Sequence, residues 1–156
     1  MKTYWSIALL SLSLCFQAVA QSSAESATTP VPRNDRSKAR FDLLTERVKS
    51  NPGNYDILFV GDSITQGWEF AGSNTWKKIN ERYKVMNIGI GGDRTQHVLW
   101  RLDNGHAEGL NPKVTVLMIG TNNSGDDRNT AEEMVEGVTA VVEKLKEKFP
   151  QTKILL

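Results

Sequence analysis

Three short apolar runs, each halting at small or polar residues, constrain this chain more than any other feature. The first, Ile57 to Val60, stops at Gly61-Asp62-Ser63. The second, ending at Ile88, runs into Gly89-Ile90-Gly91-Gly92-Asp93. The third, Val114 to Ile119, stops at Gly120-Thr121-Asn122-Asn123. Apolar runs of this length read as strands buried on both faces, as in a parallel sheet. In an open parallel sheet the loops at the carboxyl ends of neighbouring strands line one crevice, where ligands bind. A serine hydroxyl, a glycine N–H and a side-chain amide meeting there are parts for acyl transfer: an attacking oxygen and donors for an oxyanion.

The segments between the runs carry helical patterns. Arg36 to Ser50 places Phe41, Leu44 and Val48 at helical spacing, with Asn34 or Asp35 as candidate caps. Trp76 and Ile79 belong to a second helix, and Thr95 to Leu102 reads as a third, closed by Asp103-Asn104-Gly105. Thr130-Ala131-Glu132-Glu133 is a capping box opening a long helix. Its expected buried face is Met134, Val138, Val141, Val142 and Leu145. The strands are expected at Ile57 to Val60, Lys84 to Ile88, Val114 to Ile119 and, after Pro150, from Lys153 to Leu156. Alternating strand and helix predicts an α/β fold, a three-layer flavodoxin-like parallel sheet in the order two-one-three-four. That order makes the serine, glycine and asparagine loops neighbours.

The three blocks in this order resemble those of the GDSL, or SGNH, hydrolase family of esterases and lipases. Gly61-Asp62-Ser63-Ile64 matches the first block, with isoleucine in place of leucine; Gly92 matches the second, and Gly120-Thr121-Asn122-Asn123 the third. The runs at 61–68 and 91–102 look like the branch related to the platelet-activating-factor acetylhydrolase catalytic subunits. The resemblance covers roughly residues 54 to 156. It implies the SGNH hydrolase fold, Ser63 as nucleophile, and an oxyanion hole made by Ser63, Gly92 and Asn122. It also implies a short acyl substrate, acetyl in particular, on a carbohydrate or lipid, with no metal and no cofactor.

Each residue also has a plainer reading. Ser63 after a strand is a common helix N-cap, Gly92 is a turn, and Asn122 is a turn former. Asp62 is expected to accept hydrogen bonds from loop N–H groups. Asp93 and Arg94 are expected to brace the second loop as a local ion pair, and Asn123 reads as a turn residue. The family's base is a histidine in an Asp-x-x-His block near the C-terminus, and no such block is read in that part of this sequence. Its two histidines are His97, which reads as a packing or surface residue, and His106, in a loop away from the serine. With the chain stopping in the apolar run Ile154-Leu155-Leu156, the expectation is an incomplete, inactive hydrolase domain. A non-catalytic domain binding carbohydrate or another ligand on the same fold is the competing reading.

The 156 residues carry a formal net charge of +1, which points to no nucleic-acid partner and leaves the oligomeric state unspecified. Residues 1–20 follow the grammar of a signal peptide: Lys2, a short apolar core from Ile7 to Phe16, and Ala18-Val19-Ala20 as the cleavage site. The core is too short for the roughly 20 residues of a spanning helix. Export with cleavage near Ala20 is therefore expected, which also removes Cys15, the single cysteine. Residues 21–34, rich in Ser, Ala, Thr and Pro, read as a flexible leader, and 35–156 as the hydrolase domain.

Overall fold

The computed structural model describes residues 25–33, 37–125 and 128–156. The signal-peptide reading and the caps Asn34 and Asp35 lie outside them. Among these residues, five α-helices and four strands follow in the order α1 (Lys38–Ser50), β1 (Gly53–Gly61), α2 (Ser63–Gln66), α3 (Ser73–Asn80), β2 (Val85–Asn87), α4 (Thr95–Asp103), β3 (Leu110–Met118), α5 (Ala131–Lys148) and β4 (Lys153–Leu155). The sheet order is β2-β1-β3-β4, and all three pairings are parallel. Leu58 stands opposite Met86 on one side and Thr115 on the other. β1 and β3 extend further back than the apolar runs, to Gly53 and Leu110, because backbone pairing continues where side chains have already turned polar.

Leu58, Val60, Ile88 and Leu117 are buried in the core together with Leu44, Val48, Val98, Leu102, Val141 and Leu145 from the helices. The Phe59 ring meets Trp76 edge-on, with centroids 5.3 Å apart. Side chains alternate faces along a strand, so Phe59 serves the side covered by α3 while Leu58 and Val60 serve the other. The capping box of α5 is formed: Thr130 Oγ1 accepts the Glu133 N–H at 3.2 Å, and Glu133 accepts the Thr130 N–H at 2.9 Å. Val141 and Leu145 of its expected face are fully buried, whereas Met134, Val138 and Val142 are only partly so. Gly137 is buried in addition.

Residues 25–33 depart from the flexible leader read from composition. The Ala27 carbonyl accepts the Thr95 hydroxyl at 2.7 Å, the Glu25 carbonyl accepts the Asn129 amide at 3.0 Å, and the Val31 N–H donates to the Gln96 carbonyl at 3.3 Å. Ala27 is buried against Gly137, where an added Cβ would sit 2.9 Å from the Ala27 Cβ. The small residues that make the segment look featureless are the ones that let its backbone lie against α4 and α5.

Candidate active site

β1 delivers the first block. Its last residue, Gly61, is buried, and a Cβ there would collide with the Thr65 side chain and the Met118 carbonyl. Asp62 is the N-cap of α2: its Oδ1 accepts the Ile64 N–H at 2.9 Å. The cap role that a serine after a strand often takes is thus filled by its neighbour. Ser63 is exposed at the first position of α2.

The second loop passes directly beside it. A Cβ on Gly91 would lie 3.6 Å from the Ser63 Cβ. Gly91 N–H donates to Gln66 Oε1 at 2.6 Å, tying this loop to the end of α2. Gly92 is exposed and has φ +81°, a left-handed conformation that glycine adopts without steric cost. The third block ends β3: Gly120, at φ +115°, turns the chain into a short 3-10 turn, Thr121–Asn123. Ser63, Gly91, Gly92 and Asn122 line one crevice of about 490 Å³, shared with Gln66, Ile90, Ser37, Arg33 and Arg40.

Asn122 Nδ2 donates to the Asp93 carbonyl at 2.9 Å and to Asp62 Oδ2 at 3.2 Å. The amide therefore clips the first loop to the second. Asn123 is not the simple turn residue its type suggested. It is fully buried, accepts the Thr95 N–H at 3.0 Å, and donates to Thr95 Oγ1, Gln96 Oε1 and Asn129 Oδ1 at 2.9–3.1 Å.

The expected pair of Asp93 with Arg94 is replaced by two others. Asp93 Oδ1 accepts from Arg33 Nη1 at 3.2 Å, and Oδ2 from Arg101 Nε at 2.8 Å. Arg94 lies 3.9 Å from Glu25 instead. Arg94 has extended backbone angles at the start of α4, and consecutive side chains of an extended backbone diverge. The Asp93 carboxylate is turned inward and Arg94 remains partly exposed. Burial pushes the Asp93 pKa up, against the opposing pull of Arg101 and Arg33. Near the crevice wall, Glu69 receives Arg40 at 2.9 Å and Arg47 at 2.5 Å. Burial works to raise the Glu69 pKa, but these two arginines outweigh it and hold the carboxyl below its ordinary range.

Each histidine has contacts of its own. His97 Nδ1 accepts the Arg94 N–H at 3.0 Å and so caps α4. His106 is fully buried and stacked on Phe41 with centroids 4.6 Å apart. Its Nε2 lies 3.2 Å from the Phe41 carbonyl and its Nδ1 3.4 Å from Arg101 Nη1. Arg101 can only donate, so the neutral tautomer with the proton on Nε2 satisfies both contacts. Burial above all, and then the nearby Arg101 charge, drive its pKa down to about 3. Among the described residues there is no group of three or more His, Cys, Asp or Glu arranged to hold a metal ion, and no helix is long and apolar enough to cross a membrane.

The functional neighbourhood thus includes Arg33, Gln66 and Arg101, to which the motifs assign no role, and Asn123, which they mark only as a turn residue. Arg101 had a legible signal. It stands three residues after Val98 on the buried side of α4, and a charge on an apolar helical face needs a buried partner.

Comparison with known proteins identifies the family. The GDSL-like Lipase/Acylhydrolase family matches residues 59–156, from the end of β1 through all three loops. The chain belongs to that family. Among its relatives, the Homo sapiens platelet-activating factor acetylhydrolase IB subunit alpha2 is 45% identical over 101 residues, covering 65% of this chain and 42% of the relative. The Homo sapiens alpha1 subunit is 36% identical over 133 residues, covering 83% and 55%. The chain therefore spans roughly half the length of these relatives. A solved Streptococcus pneumonia structure, described as a candidate platelet activating factor, superposes with a TM-score of 0.56 at 24% identity, over 76% of this chain and 52% of that one. That likeness concerns the fold.

Proposed function

We propose that this GDSL-family chain carries the nucleophile and oxyanion donors of a serine esterase acting on short acyl esters, acetyl in particular, of a carbohydrate or lipid. Ser63 Oγ adds to the ester carbonyl carbon. The N–H groups of Ser63 and Gly92 stabilise the resulting oxyanion, and the Asn122 amide joins them by exchanging one of its two internal acceptors, Asp62 Oδ2 or the Asp93 carbonyl, for the substrate oxygen. Collapse breaks the bond to the alkoxy oxygen, which takes up the proton given up by the serine hydroxyl and leaves as the alcohol; the acyl-serine that remains is hydrolysed by water to the acid, returning the proton to Ser63. One observation supports this reading above the others: Asp62 takes the N-cap of α2, so the Ser63 hydroxyl is left exposed beside Gly91 in the crevice that Asn122 also lines. Substrate preference follows the names of the relatives, platelet-activating factor acetylhydrolase subunits.

A hydroxyl nucleophile needs a base. His97 caps a helix and His106 is buried against Phe41 and Arg101, so we assign the base to neither. The Asp-x-x-His spacing occurs in the sequence at Asp103 to His106, but that histidine is buried against Phe41 and Arg101 and its aspartate pairs with Lys144 and Lys148. Commitment of both histidines favours a second reading, a ligand-binding domain without turnover. An active-site serine probe applied to the full-length protein that carries this sequence discriminates the two. Esterase function requires covalent labelling at Ser63, lost in Ser63→Ala. A folded protein that binds an acyl ester without turnover and leaves Ser63 unlabelled establishes the binding reading instead.

A further inference from the structure

We propose that Arg101 is a positioning residue that sets the separation between Ser63 and the Gly92 N–H by fastening the end of β1 to the second loop. The proposal rests on the roles given above to Ser63, Gly92 and Asn122. The Arg101 side chain is 2% exposed. Its Nε donates to Asp93 Oδ2 at 2.8 Å, and its Nη2 donates to the Gly61 carbonyl at 3.2 Å. Gly61 lies two residues before the serine, and Asp93 immediately follows Gly92. The Asp93 carbonyl in turn receives the Asn122 amide at 2.9 Å. One guanidinium thus fixes the approach to the nucleophile and the loop of the glycine donor directly, and the asparagine donor at one remove.

Charge neutralisation alone does not account for this arrangement. Asp93 has a second cation in Arg33, and a buried ion pair is often no more stabilising than apolar residues of similar volume. The planar fork of arginine adds fixed directions to two acceptors at once, which a lysine ammonium does not reproduce. Oxyanion donors act through position, because their effect is felt where charge develops in the transition state. A small shift of the Gly92 loop relative to Ser63 therefore changes turnover more than ground-state binding.

The test uses the full-length protein bearing this sequence, with Arg101→Lys, Asp93→Asn and the control His106→Gln. His106 touches Arg101 but neither Asp93 nor Gly61, so its replacement removes buried contacts while leaving the fastening in place. The first readout is the amide NMR spectrum. Arg101→Lys and Asp93→Asn should shift or broaden the Ser63 and Gly92 resonances, and His106→Gln should leave them within the scatter of remote residues. The second is hydrolysis of a short acetyl ester. The two fastening variants should lose at least about tenfold in kcat with KM held within about threefold, while His106→Gln keeps kcat within about threefold. Should Arg101→Lys fail to fold, Asp93→Asn reads out the same fastening from its other end. Unperturbed Ser63 and Gly92 resonances in folded fastening variants overturn the proposal, as does an equal kcat loss in His106→Gln. A wild-type protein without esterase activity defeats the functional reading instead, and the spectra still decide the role of Arg101.

Discussion

Buried His106 makes folding stability depend on pH in a way that can be worked out in advance. In the unfolded chain its pKa is the ordinary 6.5, and in the fold it falls to about 3. Burial is the main cause, joined by the charges of Arg101 and Arg40, while the Phe41 carbonyl opposes them. A folded pKa below the unfolded one means that the unfolded chain takes up the proton first as pH falls. The contribution of the neutral, buried ring is therefore intact above pH 6.5 and is lost as pH drops from there toward about 3. That interval is about 3.5 pH units, and at about 1.4 kcal/mol each the loss sums to about 5 kcal/mol, comparable with the whole stability of a small domain. Between pH 7.5 and pH 5 the share is about 2 kcal/mol. Urea unfolding of the wild-type protein and His106→Gln at both pH values isolates it, since titrating carboxylates are common to the two proteins and cancel. The wild-type advantage should shrink by about 2 kcal/mol at pH 5. An advantage that stays constant from pH 7.5 to pH 5 refutes the reasoning, because it would mean that the histidine titrates alike in both states.

Asn122→Ala in the full-length protein should reduce turnover on an acetyl ester by about 10²–10³, the usual cost of one oxyanion donor. KM should change far less, and steady-state kinetics on folded protein checks both. Gly137→Ala should loosen residues 25–33, because the new methyl would lie 2.6 Å from Thr95 Oγ1 and 2.9 Å from the Ala27 Cβ. Limited proteolysis should then cut the segment faster than in the wild type while the sheet remains protected. If neither His97 nor His106 serves as the base, residues 21–156 expressed alone should be essentially inactive on a chromogenic ester, since general-base help is worth about 10²–10⁴ by itself. Esterase activity from that chain, abolished by His97→Ala, would restore His97 as the base.

Much of the fold could be read from the chain because its signals are local. Buried parallel strands announce themselves as apolar runs, and the Thr130 to Glu133 box marks a helix start without reference to anything distant. Right-handed crossovers restrict the strand order, and the flavodoxin-like order that the family resemblance implies is the one observed. What escaped was long-range polar partnering. Nothing near Asp93 in the sequence indicates that its carboxylate reaches back to Arg33 and forward to Arg101 rather than to adjacent Arg94. Asn123 is a turn-forming residue type in the surroundings of a core residue, because its side-chain hydrogen bonds go to Thr95 and Gln96 of α4 and to Asn129. Residues 25–33 differ from their composition for a related reason. Composition measures how much apolar surface a segment can bury, and this one is held by backbone hydrogen bonds and close packing at a glycine.

The Gly-Asp-Ser order of the first block has a physical logic that the sequence pattern alone leaves open. A serine that begins a helix after a strand is usually drawn into capping it, since the first turn has unsatisfied N–H groups. A hydroxyl accepting such a bond is held toward the helix axis and away from a ligand. Placing aspartate one residue earlier removes that competition: Asp62 Oδ1 satisfies the Ile64 N–H, and Oδ2 is left to receive Asn122. One buried carboxylate thereby caps the helix and joins the third block to the first. The glycine before it has its own task, allowing Thr65 and the Met118 carbonyl to approach where any side chain would collide. Its carbonyl accepts both the Ile90 N–H at 3.1 Å and Arg101 Nη2 at 3.2 Å. Three consecutive residues thus divide packing, capping and exposure among themselves, which leaves the serine the only one of the three whose side chain is open to the crevice.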